Sequence, residues 1–316
     1  MTTQVTRKLM RLVFVDTVVE ALAADSKLAL VTADISSPFF DKARARDPER
    51  VINVGIREQA MIGIAGGLAL AGYRPVVHTY AAFLIERPFE QIKVSLAHQD
   101  VGAVLVGIGS SYDDLPRGRT HQSPGDVALL DTVPGWTVHV PGHEDEVAPL
   151  LHKALAGDGR VYLRLSDKVH SETIPVSDGF TVLRQGSAGV VVAVGPVLAD
   201  VLAATSTMDV TVLYASTVRP FDHAGLRAAV VASAPNVVVV EPYLRGTSAH
   251  EVAEALGDVP HRLRSHGVRR DQEVRAYGRA ADHDRLHGLD AASLAESITS
   301  FFDGRPGGHP TAGNDV

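Results

Sequence analysis

The chain has 316 residues, 45% apolar and 21% charged, the balance of a globular protein long enough to build two cores. A net charge of −7 excludes the clustered Lys and Arg that a nucleic acid or an anionic membrane surface requires. With no cysteine, disulfides, thiol nucleophiles and thiolate zinc sites are excluded as well.

Arg11 and Asp16 interrupt the first apolar stretch, so it does not read as a signal-peptide core. The longest apolar run, 60–71, is about half a membrane span, and a cytoplasmic protein is expected. Short Val/Ile/Leu runs at 28–33, 75–79, 103–109, 137–141 and 161–165 predict buried parallel strands. Between them, helical periodicity appears at 12–24, 57–71, 88–98, 123–132 and 144–156. The expected fold class is therefore α/β, with a first doubly wound domain over 1–172.

A turn-rich polar segment at 171–186 reads as a linker. A second alternation follows, with strands at 189–194, 210–214 and 237–241 and helices at 198–205, 223–232 and 248–256. It predicts a second doubly wound domain over 187–303, closed by a helix at 291–302. The Gly/Pro-rich tail, 304–316, is expected to be disordered.

The most informative stretch is 51–71. After Gly55 it predicts a helix with almost no polar face, expected to be buried nearly all round. Glu58 falls in its first turn, where the helix dipole favours a carboxylate; taken alone it reads as a cap for free backbone N–H groups.

The run Gly-Ile-Arg-Glu-Gln-Ala-Met at 55–61 is followed by Gly-Leu-Ala-Leu-Ala-Gly-Tyr-Arg-Pro-Val-Val at 67–77 and Thr-Tyr-Ala-Ala-Phe-Leu at 79–84. Together they resemble the pyrimidine-binding domain of transketolases, built alike in deoxyxylulose-phosphate synthases and in the β subunits of 2-oxo acid dehydrogenases. The resemblance implies thiamine diphosphate as cofactor, with Glu58 hydrogen-bonded to its pyrimidine nitrogen. A proton shared there converts the exocyclic amine to an imine, which can deprotonate the thiazolium carbon. It also implies that Tyr80 and Phe83 lie against the pyrimidine ring, where aromatic stacking suits a flat heterocycle.

Gly-Arg-Thr-His-Gln at 118–122 is similar to the family loop whose histidine reaches substrate hydroxyls, which implies a catalytic and substrate-binding role for His121. Weaker likeness continues into Val218-Arg-Pro-Phe-Asp222 and the segment from His287, so the resemblance covers about 10–302.

What is missing is equally informative. The family holds the diphosphate through Mg²⁺ or Ca²⁺ bound by Gly-Asp-Gly and a later Asn, because a hard cation needs oxygen ligands beside the phosphates. Gly157-Asp158-Gly159 falls in a helix-to-strand turn, and no Asn follows until Asn236. No metal ligand is therefore assigned to this chain. The resemblance implies a separate α subunit bringing that motif, in an α2β2 assembly.

Three positions depart from the phosphosugar enzymes. Gly109 and Arg117 replace a His and an Asp, and Asp167 stands where a phosphate-binding Arg is usual, with Arg164 and Lys168 beside it. An anion at that place disfavours a phosphate. Arg117 is instead a candidate for binding substrate from another direction.

His283 and His287, four apart beside Asp282 and Asp284, could chelate a metal but read as a hydrated surface turn. Gly63-Ile-Ala-Gly-Gly lies inside a helix, which excludes a phosphate loop. The leading expectation is the β half of a split transketolase in specialised metabolism, moving a two-carbon ketol unit from a ketose donor to an aldehyde acceptor. The alternatives are a 2-oxo acid dehydrogenase β-like subunit passing an acyl unit to a lipoyl or carrier-protein thiol, and a non-catalytic scaffold of an α subunit.

Overall fold

The computed structural model describes residues 8–304. Its strands are β1 (Leu28–Thr32), β2 (Val51–Asn53), β3 (Arg74–Tyr80), β4 (Val104–Ile108), β5 (Trp136–His139), β6 (Arg160–Arg164), β7 (Thr181–Arg184), β8 (Val190–Val194), β9 (Thr211–Ala215), β10 (Thr217–Arg219), β11 (Asn236–Leu244) and β12 (Arg262–Val268). They form two sheets, ordered β10-β5-β6-β4-β3-β1-β2 and β12-β11-β8-β9-β7. All pairings are parallel except β10 on β5 and β7 on β9.

Strands β1, β4, β8 and β9 are buried at every position. Helices cover both faces of each sheet, so these strands are apolar runs without alternation. On one face of the first sheet the Met10–Ala24 and Glu144–Ala156 helices bury Phe14, Val18, Leu22, Leu150 and Leu151. On the other face Met61, Ile62 and Leu96 pack on Val31, Val77 and Leu105, and this core runs on into Val190, Val192, Leu213 and Val239 of the second sheet. Polar ties reinforce the junction. Arg219 grips Asp131 with two bonds of 2.8 and 2.5 Å, and the Tyr214 hydroxyl donates to Glu146 at 2.7 Å.

Several expectations change. The segment read as a linker contains β7, an antiparallel edge strand of the second sheet. The short strand β10 carries late sequence back to the first sheet. The helix expected at 88–98 is present but changes type: the three-residue Phe89–Gln91 α-helix passes directly into a π-helical turn at Ile92–Ala97, and a further π-helical turn, Ala82–Glu86, precedes it. Pro88 stands at the helix start, where its missing N–H costs nothing, and its ring separates this helix from the preceding turn.

The Glu58–Leu70 helix is not buried all round. Met61, Ile62, Ala65 and Gly66 face inward, while Ala60, Gly63, Ile64 and Gly67, three and four residues apart, form an exposed stripe. A Cβ on Gly66 would stand 2.4 Å from the Ser95 carbonyl oxygen, so only glycine allows that contact; Gly63 and Gly67 face open space. Of the tail expected at 304–316, all but Gly304 lies outside the described residues. Among the described residues, no helix is long and apolar enough to cross a membrane.

Candidate active site

Because the strands of the first sheet run parallel, their C-terminal ends open on one side, where loops of open α/β sheets gather ligands. Glu58 begins the helix that follows β2, Tyr80 ends β3, Phe83 lies in the first π-helical turn, and His121 closes the short Arg119–His121 turn after β4. Residues far apart in sequence thus meet. The Phe83 and His121 ring centroids are 4.9 Å apart, Tyr80 and His121 5.3 Å, and Tyr80 and Phe83 6.0 Å, all edge to face. Glu58 is 1% exposed, and its Oε2 accepts a hydrogen bond from Arg87 Nη1 at 2.7 Å.

Arg117 sits beside these rings. Its Nε donates to Asp114 Oδ2 at 2.8 Å, and its guanidinium carbon is 5.8 Å from the Tyr80 ring centre. The Tyr80 hydroxyl donates to the same Asp114 oxygen at 2.6 Å. Burial first, and then Asp114, push the Tyr80 phenol up to about 12, so it remains a neutral donor. Partial desolvation and then the Arg117 charge hold the His121 imidazole below its ordinary value, against the opposing pull of Asp114. Arg117→Gln removes a cation and frees Asp114, and both changes favour the imidazolium. The His121 titration midpoint, read from its ring-proton NMR shift, should therefore move up; an unchanged or lower midpoint refutes this coupling.

Two residues of the site escaped the sequence reading. Arg87 pairs with Glu58 and also places its guanidinium carbon 4.0 Å from the Phe83 ring centre. The only available signal was its spacing, four residues beyond Phe83 and so on the same side of a helical turn. Asp114 gave no signal, because its partners come from β3 and its own loop.

The departures acquire physical reasons. Gly109 has φ +66°, and a Cβ there would lie 2.4 Å from Tyr80 Cδ1, so the Tyr80 ring occupies the space a side chain would need. Asp167 stands at the end of β6 with its backbone N–H donating to Asp113 at 3.0 Å. Partial desolvation and then Asp114 raise its carboxyl, and burial and then Asp167 push Asp113 up to about 7. Neither flanking cation is available to a substrate. Arg164, 1% exposed, is bonded to Asp126 at 2.7 Å and Ser111 at 2.7 Å, and Lys168 bridges Asp200 at 2.8 Å and Asp284 at 3.1 Å.

Gly157-Asp158-Gly159 precedes β6 and so lies at the opposite end of the sheet from the site. Arg74 clamps this turn through the carbonyls of Gly159 at 2.7 Å and Ala154 at 2.6 Å. His283 and His287 do not form a hydrated turn: both rings pack on Tyr112, at 5.3 and 5.2 Å, and His283 Nε2 is 3.0 Å from the Ala276 carbonyl. Burial pulls His287 down to about 4. In the second half, His223, Glu251 and Glu254 bring potential ligand atoms within 4.8 Å of one another, but Glu251 is already paired with His223 at 2.7 Å and Arg219 at 3.2 Å.

The residues fit the pyrimidine end of thiamine diphosphate. Glu58 keeps Oε1 without a hydrogen bond among the described residues, and Arg87, which covers the Phe83 face, has a side chain 36% exposed and free to move toward solvent.

A buried acid at a helix start, linked through Arg87 to a cluster of aromatic rings at the open end of a parallel sheet, marks the place where an α/β domain gathers its ligands. The family model described as "Transketolase, pyrimidine binding domain" matches residues 7–169, and the chain belongs to that family. It is 58% identical to an uncharacterized 33.6 kDa protein in the fasciation locus of Rhodococcoides fascians, over 89% of this chain and 91% of that one. It is 32% identical to a 6-deoxy-6-sulfo-D-fructose transketolase subunit of Clostridium sp. (strain MSTE9), over 81% of this chain and 83% of the relative. A solved split gene transketolase, an inactive beta4 tetramer, superposes with a TM-score of 0.80 at 25% identity, covering 94% of this chain and 99% of that one. The protein is thus of the β-subunit type of a split, thiamine-dependent transketolase-like transferase that works with a partner subunit.

Proposed function

We propose that this chain supplies the pyrimidine half of the active site in an α2β2 enzyme that moves a two-carbon ketol unit from a ketose donor to an aldehyde acceptor. The α subunit holds the diphosphate and its Mg²⁺ or Ca²⁺. Thiamine diphosphate, when bound, supplies the nucleophilic carbon that this chain lacks. Glu58 holds the proton at the pyrimidine nitrogen, and Tyr80 and Phe83 pack against the ring. His121, kept neutral by its surroundings, accepts or donates hydrogen bonds at substrate hydroxyls.

The observation that carries this reading is the convergence of a buried Glu58 with the Tyr80, Phe83 and His121 rings from three separate strand ends. Asp167 supports an unphosphorylated end on the substrate, since an anion in place of a cation disfavours a phosphate there. Arg117 is placed to meet an anionic or hydroxylated group beside Tyr80.

The exposed stripe of Ala60, Gly63, Ile64 and Gly67, with Ile56 and Leu70 nearby in sequence and Val94 on the Ile92–Ala97 turn that packs against this helix also exposed, is the face proposed to meet the partner. Reconstitution tests both proposals. The chain alone should fail to retain thiamine diphosphate in equilibrium dialysis, and adding the α chain with Mg²⁺ should restore binding and transfer. Tight binding by the chain alone overturns the split site.

The Gly63→Ala/Gly67→Ala variant should stabilise the isolated chain by roughly 0.4–1 kcal/mol per site, because alanine enters open space and restricts the unfolded chain. The same variant should weaken association with the α chain in sedimentation. Unchanged association removes this face from the interface.

A further inference from the structure

The loop that carries His121 also borders a cavity of about 310 Å³, between the two halves of the chain. Arg119, Gln122 and Tyr112 line it from the first half, and Arg269, Arg270 and Glu273 from the second. None of Glu58, Tyr80, Phe83 or His121 lines it. Its size is at the lower end for sites that enclose a small metabolite.

The walls carry more cation than they neutralise. Arg119 Nε donates to Glu273 at 2.8 Å and its Nη1 to the Gln122 carbonyl at 3.1 Å. Arg269 spends Nε and Nη2 on Asp271, and Arg270 spends Nε on the Arg245 carbonyl and Nη2 on Thr247. Three guanidinium nitrogens, Nη2 of Arg119 and Nη1 of Arg269 and of Arg270, have no hydrogen-bond partner among the described residues. Gln122 is 6% exposed, and its Nε2 is buried without a partner. Every one of these unused groups is a donor; the three arginine nitrogens sit on side chains that reach solvent, whereas the Gln122 amide is buried, and a buried donor without an acceptor is costly.

We infer that this cavity is an anion site, distinct from the cofactor site, that takes a small polyanionic metabolite, and that its occupancy steadies the His121 loop. Arginine forks match the paired oxygens of phosphate and carboxylate, which is the acceptor chemistry these donors lack. The coupling runs through covalent neighbours, since Arg119 and Gln122 flank Thr120 and His121. Segment 271–279 of the second half already crosses the loop: Glu273 holds Arg119, and the Tyr277 ring leaves only 3.0 Å to a Cβ placed on Gly118. A ligand bound between Arg119 and the Arg269–Arg270 pair ties the loop to that segment.

The test is calorimetric titration of the full chain with inorganic pyrophosphate and, separately, with citrate, against KCl at equal ionic strength. Saturable binding of pyrophosphate alone marks a phosphate site and of citrate alone a carboxylate site; either supports the inference. The Arg269→Gln/Arg270→Gln variant should bind at least about tenfold more weakly, as expected for losing charge-assisted bonds. Arg227→Gln, which removes an exposed charge paired to Asp258 elsewhere, should bind like the parent.

Hydrogen exchange of residues 115–123 should slow when the site is saturated. Should the double variant fail to fold, Gln122→Leu removes one orphaned donor without leaving another, and should also weaken binding. No saturable heat above KCl, equal binding by parent and site variants, or unaltered exchange in the loop overturns the inference.

Discussion

Glu58→Gln, assembled with the α chain, should lower turnover by about 10²- to 10⁴-fold, the range for removing a positioned acid or base. Glutamine matches the shape of glutamate and can still hydrogen-bond, but it cannot share a proton with the pyrimidine nitrogen. The fold should survive the change. Arg87 loses its partner, yet its side chain is 36% exposed and can be solvated, so the lost ion pair contributes little to stability. Steady-state turnover with a ketol donor, beside unchanged circular dichroism and unchanged association with the α chain, is the measurement. Turnover within a few fold of the parent would mean that Glu58 serves only as the partner of Arg87, and the non-catalytic scaffold reading would then stand.

Arg164→Met should destabilise the isolated chain by about 3–5 kcal/mol, because it strands Asp126 as a buried charge. Arg164 is 1% and Asp126 0% exposed; the Asp126 carboxylate accepts from Arg164 at 2.7 Å and from the Tyr162 hydroxyl at 2.8 Å. The Arg164→Met/Asp126→Leu pair should recover most of the loss, since it removes both charges together. Urea unfolding of the three proteins decides it. A cost for Arg164→Met below about 1 kcal/mol, the range of exposed pairs, would show that the pair is not the buried structural contact its geometry describes. The same experiment separates Arg164 from any role toward substrate phosphate.

Much of the fold was legible because its signals are local. Strands β1, β4, β6, β8 and β9 are short apolar runs, and the Glu144–Ala156 and Ala291–Phe302 helices carry their own periodicity, so each could be placed to within a few residues. The elements that escaped are those whose stability is not local. Strand β12, Arg-Leu-Arg-Ser-His-Gly-Val, exists because β11 offers it an edge, and β7 and β10 exist because β9 and β5 do. A three-residue strand such as β2 or β10 has too few side chains to announce itself.

The same division runs through the site. By itself the sequence determined that Glu58 opens an apolar helix, that Tyr80 and Phe83 follow a buried strand, and that His121 lies on a strand-end loop, since each is a property of one segment. Only the tertiary structure decided what these residues touch. It brought His121 against both aromatic rings, set Arg87 on both Glu58 and Phe83, and filled the space beside Gly109 with the Tyr80 ring. It also buried Arg164 in an ion pair and left one face of the Glu58 helix uncovered. The physical reason is common to all of these. Propensity and periodicity act over a few neighbouring residues, whereas ring packing, ion pairing and burial depend on which distant strand ends the parallel sheet brings side by side.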